Sequence, residues 1–202
     1  GTQYGDEGKG KVVDYYASKA DLVVRFQGGS NVGHTVIVGG STYKFRMLPS
    51  GALWGKKLVI GNGVVIDPDR LIAEMDELAS VGRRPDLLIS DRAHVVLPFH
   101  KALDRLEDSI KGPLRAGTTG VGIGPAYADK AARFGIRVAD LMDDESLGER
   151  LRLLVDLKQK ELRDVLGSDD IISETDLLSQ CREFWEEIRG CVGDASEYIN
   201  DA

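Results

Sequence analysis

Residues 5–11 read Gly-Asp-Glu-Gly-Lys-Gly-Lys, three glycines interleaved with two acids and two lysines, and they run into a segment of helical character, Val12–Ala20. Glycines let a backbone turn tightly enough for several N–H groups to converge on one anion, and a helix that starts there adds its positive end. Phosphate binding is the chemistry expected of Gly5, Asp6, Glu7, Gly8, Lys9, Gly10 and Lys11. Gly5, Gly10 and Lys11 satisfy the glycine, four residues, glycine-lysine part of a P-loop, but Val12 stands where a Mg²⁺-binding Ser or Thr belongs. A metal ligand must come from elsewhere. Asp6 would repel a phosphate if it were only decoration, and its charge makes sense if it holds a cation or takes a proton.

Two more segments have the composition of sites. Gln27-Gly28-Gly29-Ser30-Asn31-Val32-Gly33-His34-Thr35 is a polar, glycine-rich loop between an expected strand and an expected hairpin. Alone, it leaves open whether His34 is a satisfied turn histidine or a functional one. Beside a phosphate loop, an imidazole that donates to developing charge gains ground. His94 and His100 flank Leu97-Pro98 and are expected to be structural. From Ala116 to Arg137, Gly117, Gly120, Gly122 and Gly124 with Thr118 and Thr119 supply bare backbone and hydroxyls, and Lys130, Arg133 and Arg137 supply charge at near-helical spacing. Hydroxyl and backbone donors facing a guanidinium suit a phosphomonoester. A flexible loop followed by a solvated basic helix fits the same residues equally well.

These segments need a scaffold, and the pattern around them is α/β. Leu22–Phe26 and Leu87–Ser90 read as strands buried on both faces. Thr35–Val38 and Thr42–Met47 flank Gly39-Gly40 as a hairpin. Leu58–Ile60 and Val64–Ile66 flank Gly61-Asn62-Gly63, read as another tight bend. Asp67 caps a helix with Pro68 in its first turn, whose apolar face is Leu71, Ile72, Met75 and Leu78. Two amphipathic segments, Leu147–Leu166 and Thr175–Arg189, make the tail helical. The expected organisation is an α/β, P-loop-like core over residues 1–142, with a mainly parallel sheet flanked by helices, and a helical subregion over residues 143–202. A phosphate loop usually follows a buried strand, and none stands ahead of Gly1 in this sequence, so the expectation is either a trimmed sequence or a loop that begins without its usual support.

With 202 residues, 42% apolar and 29% charged, the chain has an ordinary globular composition. Its formal charge of −7 argues against a general affinity for nucleic acid or acidic membrane. Cys181 and Cys191 are too few for a disulfide framework, and Cys181 falls on an apolar helical position. With no apolar run of membrane length and no leader pattern, a cytoplasmic location is expected.

GTQYGDEGKGKVVD at Gly1–Asp14, VRFQGGSNVGHT at Val24–Thr35 and GTTGVGIGPAYADKAAR at Gly117–Arg133 together resemble adenylosuccinate synthetase, with LPSG at Leu48–Gly51 and IGNGVV at Ile60–Val65 in the same order. That family joins IMP to L-aspartate at the expense of GTP. The resemblance covers essentially this whole chain but only about the front half of the family's length. It implies that Asp6 is the base on the purine ring nitrogen and binds Mg²⁺ with the carbonyl of Gly33. His34 would be the acid that helps the 6-oxygen of IMP accept the γ-phosphoryl group, with Lys9 spreading the charge that moves. Implied GTP contacts are Gly5–Lys11 and Gly33–Thr35. Implied IMP contacts are Asp6, Glu7, Gly8, Lys9, Asn31, Val32, Gly33, His34, Thr119 and Arg133. Arg133 would reach the IMP of a neighbouring subunit, which implies a homodimer.

The chain also departs from the family. Val121 occupies a position where bacterial members usually carry an arginine associated with aspartate binding, and Ser30 replaces a histidine common among them. No Thr-Lys-x-Asp or Asn-Lys-x-Asp string for guanine recognition occurs in these residues. A noncatalytic purine-nucleotide-binding module of the same family is the alternative expectation. A different P-loop phosphotransferase is disfavoured by Val12 and by the acids inside the loop.

Overall fold

A computed structural model describes residues 9–38, 41–110, 113 and 117–202. Helix α1 (Lys9–Ala17) leads into β1 (Leu22–Gly28), a hairpin of β2 (His34–Val38) and β3 (Ser41–Phe45), and β4 (Lys57–Ile66). Then come α2 (Pro68–Ser80), β5 (Asp86–Ser90), β6 (His94–Val95), α3 (Pro98–Ile110) and α4 (Ile123–Ala132). The tail holds α5 (Asp144–Lys160), α6 (Glu174–Ile188), β7 (Val192–Gly193) and α7 (Ala195–Asp201). The main sheet runs β1-β4-β5-β7 with β6 beside β4, and all of these pairings are parallel. The expected antiparallel hairpin is present, with strands that begin one residue earlier, at His34 and Ser41, and end the second at Phe45 rather than Met47; His34 pairs with Phe45, and the Gly39-Gly40 turn lies outside the described residues.

Strand β4 carries the sheet. Its Leu58, Val59, Ile60, Val64, Val65 and Ile66 are fully buried, the continuous apolar run expected of a parallel strand covered on both faces. Gly61-Asn62-Gly63 is not a bend between two strands but part of this one. The register against β1 slips between Arg25 and Gln27, and the backbones close up so far that a Cβ on Gly63 would lie 2.3 Å from Phe26 O. Glycine there serves close approach rather than a turn.

Strand β1 was expected to be buried on both faces, and it is not. Among the described residues it pairs on one edge only, and Phe26 is 68% exposed. Val12, Tyr15 and Tyr16 of α1 are also exposed.

Asp67 stands at the N-cap position of α2 as expected, with Pro68 following, but makes no side-chain cap bond. Leu71 and Leu78 are buried, with Ile72 and Met75 packed against the core at the margin. In the tail, Asp143 and Ser173 cap α5 and α6 by accepting first-turn N–H bonds. Leu147, Leu151 and Leu154 of α5 meet the stripe Leu177, Cys181, Phe184 and Ile188 of α6 in one core. Cys181 is thus a core residue, its thiol pushed up to about 12 by burial. The tail is not wholly helical, because β7 pairs Val192 with Ile89 and Gly193 with Ser90.

Candidate active site

Lys9, Gly10 and Val13 of α1, residues 23–27 of β1, Val32, Gly33, His34, and Leu48, Pro49 and Ser50 line one cleft of about 270 Å³. Folding thus brings together Lys9, Gly10, Val32, Gly33 and His34 of the expected site. Gly5, Asp6, Glu7 and Gly8 lie outside the described residues. Lys9, Gly10 and Lys11 already belong to α1, so the glycine-rich segment becomes helical before Val12, where the sequence placed the start. Lys11 is exposed, as are Asn31 and Thr35, and these three do not line the cleft.

His34 opens β2, against the Phe45 ring at 5.9 Å between centroids. Gly10 backs it so closely that a Cβ there would sit 3.3 Å from His34 Cβ. His34 Nε2 is buried and has no hydrogen-bond partner among the described residues. A buried polar atom left so costs about 1–3 kcal/mol, which a ligand oxygen or water would relieve. Burial, and after it the charge of Arg25, hold His34 below the usual imidazole range against Glu74 and Asp14. The ring is therefore neutral near pH 7 and able to donate one N–H to an oxygen.

Two residues outside the glycine-rich segments fix this corner. Glu74 of α2, wholly buried, accepts the backbone N–H groups of Arg46 at 2.6 Å, Met47 at 2.9 Å and Leu48 at 2.8 Å, and pairs with Arg70 at 2.6 Å. It secures the exit of the hairpin that carries His34. Arg25 of β1 donates to Arg46 O and Gly29 O, linking that exit to the base of the glycine-rich loop.

The third segment lies elsewhere. Thr118 Oγ1 donates to Asp104 Oδ1 at 2.6 Å and accepts from Gly120 N, so it shapes its own loop. Thr119 is exposed. Arg133 is exposed past the end of α4 at φ 67°, the one positive-φ residue other than glycine among those described. Neither Thr119 nor Arg133 lines the cleft with His34. Lys130 is not part of a solvated basic face, since its ammonium donates to Asn62 O at 3.0 Å and His94 Nδ1 at 3.1 Å. His100 accepts from Leu97 N at 2.9 Å and donates to Asp129 at 3.1 Å, the structural role expected.

The sequence profile described as adenylosuccinate synthetase matches residues 1–202, the whole chain. The chain belongs to the adenylosuccinate synthetase family. An adenylosuccinate synthetase from Carboxydothermus hydrogenoformans is 51% identical over 204 residues, covering 100% of this chain and 48% of that protein. One from Lactococcus lactis subsp. lactis is 48% identical and covers 100% and 47%. The chain spans about half the length of the curated relatives it matches. Among solved structures, the fully ligated adenylosuccinate synthetase from Plasmodium falciparum aligns with a TM-score of 0.85 at 31% identity, over 100% of this chain and 47% of that one. The cyanophage S-2L succinoaminodeoxyadenylate synthetase, described as bound to dGMP and dATP, shares the fold at a TM-score of 0.54 and 23% identity, over 94% of this chain and 60% of that one.

In an adenylosuccinate synthetase chain, the donor set proposed for Mg²⁺ is one carboxylate, Asp6, and one backbone carbonyl, Gly33. Hard oxygens of this kind suit Mg²⁺, and Gly33 lines the cleft. Among the described residues, no group of three or more His, Cys, Asp or Glu side chains could hold a metal ion. Sequence reasoning missed Arg25 and Glu74. The one signal for Glu74 was an acid set among Leu71, Met75 and Leu78 on an apolar helical face.

Proposed function

We propose that this chain supplies the acid–base and phosphate-binding half of an adenylosuccinate synthetase, which joins IMP and L-aspartate with GTP to give adenylosuccinate, GDP and phosphate. The observation that carries this reading is the buried Nε2 of His34, without a hydrogen-bond partner among the described residues, in the cleft shared with Lys9 and Gly10 of α1. Asp6 removes the ring proton beside the 6-carbonyl of IMP, which turns a poor oxygen nucleophile into a good one. That oxygen attacks the γ-phosphorus of GTP as the bond to GDP breaks, giving 6-phosphoryl-IMP. His34 donates its N–H to the oxygen as charge crosses it, and Lys9 with the N-terminus of α1 stabilises charge on the phosphates. The amine of L-aspartate then adds at C6, phosphate leaves with its bonding electrons, and the nitrogen gives up its surplus proton to the departing phosphate. Mg²⁺, held by Asp6 and the Gly33 carbonyl, supplies neutralisation of phosphate charge when bound.

Asn31, Val32, Thr119 and Arg133 complete the proposed IMP contacts, with Arg133 acting on the IMP of a second subunit in a homodimer. A cytoplasmic location accords with this role. Among the described residues, no helix is long and apolar enough to cross a membrane.

A second reading is a purine-nucleotide-binding module without ligase activity. It is favoured by Val121, which packs against Val65, Val96, Ile123 and Ala126 rather than presenting a cation for aspartate. Formation of adenylosuccinate from IMP, GTP, Mg²⁺ and L-aspartate by a polypeptide that carries this chain at the family's length separates the two. Product establishes the ligase, whereas nucleotide binding without product establishes the module.

A further inference from the structure

The base of the loop that presents Asn31–His34 is fixed from several sides. Ser30 is 1% exposed, and its hydroxyl donates to Asp67 Oδ2 at 2.8 Å. Asp67 is 5% exposed and stands at the N-cap of α2, where an aspartate ordinarily accepts first-turn N–H groups, yet it makes no such bond. Its other oxygen accepts from Lys101 Nζ of α3 at 3.1 Å, and Lys101 is held in turn by Asp69 at 2.9 Å. The carboxylate has been turned from the helix it should cap toward the loop.

Neighbouring residues complete the clamp. Arg25 donates to Gly29 O, and Gly29 is packed so that a Cβ would lie 2.4 Å from Ile123 Cδ1 and 2.9 Å from Val65 O. Tyr127 of α4 accepts from Gly28 N and donates to Gly63 O, each at 2.7 Å. Past this base, Asn31, Val32 and Gly33 are exposed, and the chain then enters β2 at His34. The loop therefore has a fixed root and an open tip, and Asp67 is the charged group at the root that is tied to two helices.

We infer that Asp67 is a positioning residue that acts through the Ser30 hydroxyl, setting the direction in which Asn31–Gly33 leave the root and so where His34 meets the substrate oxygen. The inference rests on the ligase reading for its effect on turnover, but not for its effect on the loop. Misplacing a catalytic group by about 1 Å can cost about a hundredfold in rate, so loosening the root acts on kcat although Asp67 touches no reacting atom.

The test uses a polypeptide that carries this chain at the family's length, assayed first as wild type for adenylosuccinate formation and nucleotide binding. Asp67→Ala and Ser30→Ala are each expected to lower kcat per folded molecule about tenfold or more, with the double variant no worse than either, because both cut one link. Asp67→Asn keeps an oxygen for the Ser30 hydroxyl and is expected to recover most of the rate. A helix-stability role alone would change the melting temperature and leave kcat per folded molecule at the wild-type value, which overturns the inference. Amide hydrogen exchange gives an arm that needs no activity. Asp67→Ala is expected to deprotect residues 29–34, and deprotection confined to the first turn of α2 overturns the inference as well. If the wild type binds nucleotide but makes no product, the ligase reading falls, and exchange alone still decides the role of Asp67.

Discussion

Glu74 shows what one buried carboxylate does when its partners are backbone. Three consecutive N–H groups and the Arg70 guanidinium converge on it, so its charge is compensated without exposure to water. Removing it takes the acceptor from three backbone N–H groups, while Arg70 keeps its bond to Lys44 O. Glu74→Ala is expected to cost about 3–5 kcal/mol in urea unfolding, the range for breaking a buried charged network. Glu74→Gln, which keeps one acceptor oxygen, is expected to cost less. His34→Ala, by contrast, should leave stability near wild type and lower adenylosuccinate formation by at least about 10²-fold, the scale of a lost acid–base partner. Near-normal turnover would remove His34 from the chemistry. The sequence made His34 visible because a histidine in a glycine-rich loop is conspicuous. The bonds of Glu74 to the hairpin exit and of Asp67 to the loop stayed hidden because Arg46–Leu48 and Ser30 stand 26–28 and 37 residues upstream, beyond any local pattern.

Elements were legible where a period announces them. The hairpin, α2, α5 and α6 follow alternation or helical spacing closely, and their caps fall on Asp143 and Ser173 as propensity dictates. Strand β4 was misread because Gly61-Asn62-Gly63 is also the composition of a turn, and only the neighbouring backbone distinguishes the two. Phe26 O occupies the space a side chain on Gly63 would need. Gly63→Ala is accordingly expected to destabilise the protein by about 1–3 kcal/mol, the cost of overpacking. Faster amide exchange in β1 than in β5 would locate the damage. Equal exchange in both strands would mean that the contact is absorbed without disturbing the pairing. The exposure of β1 escaped the sequence for a related reason: composition marks a strand as apolar but does not say how many neighbours it has.

Across the molecule, the three histidines share one electrostatic direction. Burial pushes His34 and His100 below the ordinary imidazole range, and burial with the charges of Lys130 and Arg137 pushes His94 down to about 4. The unfolded chain, with imidazoles near 6.5, therefore binds more protons than the folded one in mild acid. Stability from these neutral imidazoles is fully present above about pH 6.5 and falls as pH drops below it, the His94 share being lost as pH reaches about 4. The melting temperature is expected to drop over that interval. His94→Gln, which retains an acceptor for Lys130 without titrating, should flatten the slope, and an unchanged slope would assign the acid sensitivity to other groups.

The pairing of β7 with β5 bears on how the protein is made. Ile89 finds Val192 only after the intervening helices have been synthesised. At about 5–20 residues per second, ribosomes take roughly 5–20 s to cover that interval, during which the outer edge of β5 waits without its partner strand. Biosynthesis thus passes through a stage in which the Ile89–Ser90 edge has no β7 beside it and is open to pairing with a foreign strand.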